Sequence, residues 1–201
     1  VDVQIDFDAG SRRDPAAQAG LASAVAAMMS KGLRARDGAP ALDENALGEA
    51  WADLGASFGG GAGADRLSFS LRTLSYPDLL ARAAALAARQ LGQPTFPDAV
   101  WQSERERLKA SLREANTRPA TLAARAFSRA VYGSHPYGQA MTEATLAAIS
   151  VADMQGLQRT LLPCRARVTL VGAVTRPQAH ELVHTLLARL PPSPRGACPP
   201  L

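Results

Sequence analysis

Aromatic residues are scarce in this 201-residue chain, at 5%, and lysine occurs only as Lys31 and Lys109. Cysteine is limited to Cys164 and Cys198, and histidine to His135, His180 and His184. So few sulfur and imidazole groups leave little material for a metal cluster or a disulfide framework. One cysteine precedes a predicted strand and the other lies in a Pro-rich tail, a placement that argues against a framework disulfide and leaves the compartment open. No run of ~18 or more apolar residues occurs, so no membrane-spanning helix is expected. Charge of one sign is also lacking. The 22 basic and 18 acidic residues leave a net charge of +4, spread without a block of five like charges, which gives no support to a nucleic-acid surface. With so few lysines and so much alanine, the abundance of arginine reads as bacterial GC-rich coding, not as phosphate recognition.

What is present is an ordinary globular composition, 47% hydrophobic and 20% charged, enough for one large domain with a sizeable core. The first eight residues, Val1 to Asp8, alternate apolar and polar side chains as a strand with one face on a core should. Helical spacing runs from Asp14-Pro15 to Ser30, with Lys31-Gly32 as a stop, and again from Asp43 to Leu54. Gly55 to Gly63 and Arg66 to Leu74 read as a β-hairpin. Three helices follow, Pro77 to Leu91, Pro97 to Asn116 and Pro119 to Tyr132, each opened by proline. A fourth begins at Ser150-Val151-Ala152-Asp153, a capping box, and the chain closes with strand Arg167 to Ala173 and helix Pro177 to Leu190. Pro191 to Leu201 reads as a linker or tail. Strands at both ends with helices between them imply an α+β class, with a mostly antiparallel sheet packed on a layer of helices and a domain over residues 1–190.

The most telling segment is Gly20-Leu21-Ala22-Ser23-Ala24-Val25-Ala26-Ala27-Met28-Met29-Ser30-Lys31-Gly32. It resembles the inverted zincin signature of the pitrilysin/insulysin superfamily, to which mitochondrial processing peptidase belongs, where the helix reads G-L-A-H-x-x-E-H-M-x-x-x-G. Ser23 and Ala27 stand at the two histidine positions and Ala26 at the glutamate position. Further segments match the family in order: Phe7-Asp8-Ala9-Gly10-Ser11-Arg12 with Asp14-Pro15, Leu54-Gly55-Ala56, Pro94-Thr95-Phe96-Pro97, Glu104-Arg105-Glu106-Arg107, and Tyr132-Gly133-Ser134-His135-Pro136-Tyr137-Gly138. Leu170-Val171-Gly172-Ala173-Val174 is similar to its late strand.

The resemblance implies a pitrilysin-like domain, one of two in a polypeptide that forms half of a clamshell, with its first strand trimmed. The start at Val1 without a charged-then-apolar leader likewise reads as a processed or trimmed chain. Active relatives hold zinc, whereas this chain is expected to hold no cofactor, since serine and alanine cannot ligate it or take a proton from water at neutral pH. The third ligand position falls at Arg113 or, one residue along, at Glu114. Non-catalytic partners of heterodimeric peptidases have lost the same residues, so the resemblance implies a catalytic homologue as partner and a peptide substrate enclosed between the two. Substrate in active members adds to an exposed strand edge. The matching stretch here is Phe58, Gly59, Gly60, Gly61 and Ala62, a strand that its glycines weaken. Many similar bacterial subunits are exported, which points to the periplasm, with the cytoplasm as the alternative.

Other patterns compete. His180-Glu181-Leu182-Val183-His184 is an H-E-x-x-H string on a predicted helix and offers an alternative metallopeptidase site. Its histidines flank the buried stripe, and Cys198 is the sole downstream candidate for a third ligand. His135 beside Pro136 reads as a structural turn in preference to a general base. Gly59 to Gly63 lacks the G-K-[ST] ending of a phosphate loop. Glu104, Glu106 and Glu114, interleaved with Arg105, Arg107 and Arg113, read as a solvated, ion-paired helix face. A stand-alone peptide-binding scaffold, homo-oligomeric when isolated, is the third functional alternative.

Overall fold

The computed structural model describes residues 1–193 and 198. Four strands form one antiparallel sheet in the order β4-β5-β1-β6, where β1 is Asp2–Phe7, β4 Ser57–Ala62, β5 Leu67–Arg72 and β6 Ala166–Val171. The period-two pattern sets the register: Val3, Ile5 and Phe7 pair with Leu71, Phe69 and Leu67 on one side and with Leu170, Val168 and Ala166 on the other. All nine therefore point to one face, while Gln4, Asp6, Ser68, Ser70 and Thr169 line the other. A two-stranded ribbon, β2 (Gly32–Leu33) with β3 (Leu42–Asp43), lies apart from the main sheet.

The helices are α1 (Leu21–Met28), α2 (Glu44–Asp53), α3 (Pro77–Gly92), α4 (Asp98–Ala115), α5 (Pro119–Tyr132), α6 (Glu143–Ala147), α7 (Val151–Arg159) and α8 (Arg176–Leu187). The architecture is α+β, as its patterning implies. α1 packs against β4, β5 and α7, and α8 packs on α3 through Leu182 and Leu186. Trp51, Phe58 and Phe69 stack with ring centroids 5.8 and 5.9 Å apart, tying α2 to the hairpin. The indole of Trp101 donates to the Ile149 carbonyl at 3.1 Å, fixing the first turn of α4 to the segment before α7.

Three expectations need correction. The helix predicted from Asp14 starts only at Leu21 and ends at Met28, because Gly20 sits at φ +107° and residues 16–18 form a separate 3-10 turn. Asp14 turns its carboxylate back onto the amides of Gly20 and Ala22, at 2.9 and 3.0 Å, so it caps α1 from outside the helix. Second, Cys164 and Cys198 are joined in a disulfide, contrary to the argument from placement. The turn before β6 and the tail after α8 come back together in space, and the Cys164 amide also donates to Ser193 Oγ at 3.0 Å. Third, α6 carried too short a pattern to be predicted, and α8 stops at Leu187, short of Leu190. Of the expected linker, residues 194–197 and 199–201 lie outside the described residues.

Candidate functional site: a zincin frame without ligands and an open sheet edge

α1 is almost wholly buried: Ala22, Ala24, Val25 and Met28 have no exposed surface. Such a helix needs small side chains to approach the sheet and α7, which the alanine-rich sequence supplies. Ser23, Ala26 and Ala27 fall at i, i+3 and i+4, one face of the helix. Ala26 is buried and the other two half-buried. A hydroxyl and two methyl groups offer neither the imidazoles nor the carboxylate that zinc and its water require. Among the described residues no group of three His, Cys, Asp or Glu side chains could hold a metal ion. The donor set does not fit zinc.

The α4 carboxylate that pairs with the segment after α1 belongs to neither predicted register. Arg113 forms an ion pair with Glu143, and Glu114 with Arg118, all on exposed surface. Glu104 instead pairs with Lys31, which follows α1, at 3.3 Å, and Lys31 also reaches Glu44 at 2.5 Å. The side chains of Lys31 and Glu104 are 16% and 14% exposed, so this part of α4 is not the solvated face expected. Arg107 at 2.7 Å and then Lys31 hold the Glu104 pKa below its ordinary 4.5, and Glu44 first, then Glu104, raise that of Lys31. Asp14 runs the other way: burial pushes its pKa up despite its bonds to backbone amides.

Phe58 to Ala62 lie in β4, one of the two edge strands of the sheet. Its six residues pair in full with β5, from Ser57↔Arg72 to Ala62↔Leu67, so the glycines do not prevent a regular strand. They have a geometric reason at Gly60. A Cβ there would lie 2.6 Å from the Phe69 ring, which is thereby free to stack on Phe58. Gly59 and Gly61 face the other way, onto open space, and a shallow depression of 370 Å³ spreads from them over Gln4, Ser68 and Ser70. The arrangement is a bare, polar shelf beside a row of strand-edge backbone groups.

The competing motif stays incomplete. His180, Glu181 and His184 are exposed on α8, with His180 at one cavity and His184 at another. The disulfide removes Cys198 as a thiolate ligand. His135 Nδ1 accepts from the Tyr137 amide at 3.2 Å, and its ring packs against Tyr132 and Tyr137, whose hydroxyl donates to Asp65 at 2.6 Å. That is a turn built from aromatic contacts.

No protein-family model matches the sequence, and no curated protein matches it significantly. Solved structures do. The inactive domain of an M16 peptidase from Pseudomonas fluorescens matches with a TM-score of 0.88 at 29% identity, covering 98% of this chain and 47% of that one. The chain has the pitrilysin-like fold of M16 peptidase domains. Pitrilysin itself has the same fold, with a TM-score of 0.73 at 20% identity over 95% of this chain and 20% of its own. So has the periplasmic protease PqqL from Escherichia coli, with a TM-score of 0.75 at 19% identity over 99% of this chain and 22% of its own. The chain spans about half the length of the Pseudomonas structure. Among the described residues, no helix is long and apolar enough to cross a membrane.

Proposed function

We propose that this pitrilysin-like domain is proteolytically inactive and acts by pairing with a catalytic homologue, whose peptide chamber it helps to enclose. The observation that carries this reading is the make-up of α1, the helix that resembles the zincin motif: it is packed into the core, and Ser23, Ala26 and Ala27 on one face give it no metal ligand. Likeness to an inactive M16 domain supports it. The open edge of β4 supports a role in holding peptide, because an extended chain could add there through backbone hydrogen bonds, with Gly59 and Gly61 leaving the approach clear.

A contact surface is also available. α5 is amphipathic, yet none of its residues is buried, and Leu122, Phe127 and Val131 are 50%, 67% and 55% exposed. An uncovered apolar face of this kind marks a surface that meets another protein domain. The Cys164–Cys198 disulfide and the periplasmic location of PqqL both favour an oxidising compartment, and we assign the protein to the bacterial periplasm. Mixing the purified chain with a homologue that retains H-x-x-E-H tests the proposal: a defined heterocomplex on size exclusion and a raised peptidase rate are expected. A chain that elutes alone, or only as its own dimer, and leaves the rate unaltered contradicts it.

A further inference from the structure

A cavity of 930 Å³ is lined by none of the degenerate motif positions. It opens where the C-terminal end of α3 meets α7, α8 and the loop after β2, and its size suits a small molecule. Four arginines reach it from three separate parts of the chain: Arg34 and Arg36 from the loop, Arg159 from the end of α7, and Arg189 after α8. The one carboxylate in the lining, Asp37, is taken up by Arg189 at 2.7 Å and Arg36 at 3.9 Å. Arg34 and Arg159 make no ion pair with a described residue. Positive charge is in excess at this place, and both burial and the proximity of Arg189 pull the pKa of nearby Arg89 down.

A second, independent feature sits in the same lining. Gln93, the residue that follows α3, is 3% exposed, and neither its Nε2 nor its Oε1 has a hydrogen-bond partner among the described residues. A buried amide that leaves both a donor and an acceptor unmatched is costly unless a ligand completes it. His184, left without a partner in metal chemistry, contributes a further polar group to the same wall.

We propose that this cavity binds a small acidic molecule, whose phosphate or carboxylate groups meet Arg34 and Arg159 while a neutral polar portion pairs with the Gln93 amide. Arginine's planar fork holds either anion bidentately, so the shared chemistry is a planar or tetrahedral oxyanion. The site is independent of peptide holding at β4, from which it shares no residue.

Calorimetric titration of the 201-residue chain with pyrophosphate and, separately, with citrate tests this. One-to-one binding of either probe is expected, the tighter one naming the anion class. The Arg34→Gln/Arg159→Gln pair is expected to weaken binding ~10-fold or more, through loss of charge-assisted hydrogen bonds. The Arg72→Gln/Arg118→Gln pair, which removes equal charge from exposed positions outside the cavity, is expected to leave it within ~2-fold, allowing for screening of exposed charges. Gln93→Leu is expected to weaken binding while raising the Tm by ~2–4 °C, since it removes an unmatched polar group. Absence of binding to both probes, equal loss in the two arginine pairs, or a lower Tm for Gln93→Leu overturns the proposal.

Discussion

At the scale of single residues, two glycines of β4 differ in what surrounds them. Gly60 leaves room for the Phe69 ring, whereas Gly61 faces open space. Gly60→Ala is expected to destabilise the chain by ~1–3 kcal/mol, the range for overpacking a filled site. Gly61→Ala should stay within ~1 kcal/mol of the parent. Denaturant melts of the two variants, compared with the parent, check both. The titrating groups carry a second prediction. The Glu104 pKa is lowered by Arg107 and Lys31, so its stabilisation is complete above its ordinary 4.5 and is lost as pH falls through the depressed folded value. The raised pKa of Asp14 has the opposite sign: its contribution is complete below 3.8 and is lost as pH rises through its folded value. Glu104→Gln should therefore flatten the rise of stability from acid to neutral pH, and Asp14→Asn should steepen it. Denaturant midpoints measured across that range follow directly.

At the scale of elements, β1, the β4–β5 hairpin and helices α2 to α5 were legible, because alternation, proline openings and helical spacing are local signals. α1 was legible as a helix but not in extent: Asp14-Pro15 looks like a helix start, yet the Asp14 carboxylate caps the helix from six and eight residues upstream. A cap that reaches across an intervening turn has no fixed spacing in sequence. The Lys31–Glu104 pair and the arginine-lined cavity were invisible for the same reason, since topology alone brings their members together. α5 shows the converse case. Its amphipathic pattern was plain, but only the structure places its apolar face outside the core. Phe127→Glu is accordingly expected to change the stability of the isolated chain by no more than ~0.5 kcal/mol, as for ordinary surface substitutions. If α5 meets the catalytic partner, the same change should weaken the complex by ~2 kcal/mol or more, the range for a buried aromatic anchor, read by titration of the two proteins.

At the scale of the whole molecule, the disulfide joins positions 34 residues apart and closes the tail onto the turn before β6. Chain-entropy reasoning gives a stabilisation of ~3–4 kcal/mol for such a loop. Cys164→Ser/Cys198→Ser should lower the denaturant midpoint accordingly, and a reductant should have the same effect on the parent and none on the variant. The pairing was hidden in the sequence because two cysteines alone cannot report that a late tail folds back on an earlier turn.

The central claim is that a pitrilysin-like frame persists here without its metal chemistry. The most direct measurement is the zinc content of the purified chain after incubation with zinc and dialysis, together with cleavage of an unstructured peptide with and without chelator. The account predicts no stoichiometric zinc and no chelator-sensitive cleavage. One zinc per chain with cleavage that a chelator abolishes would contradict it.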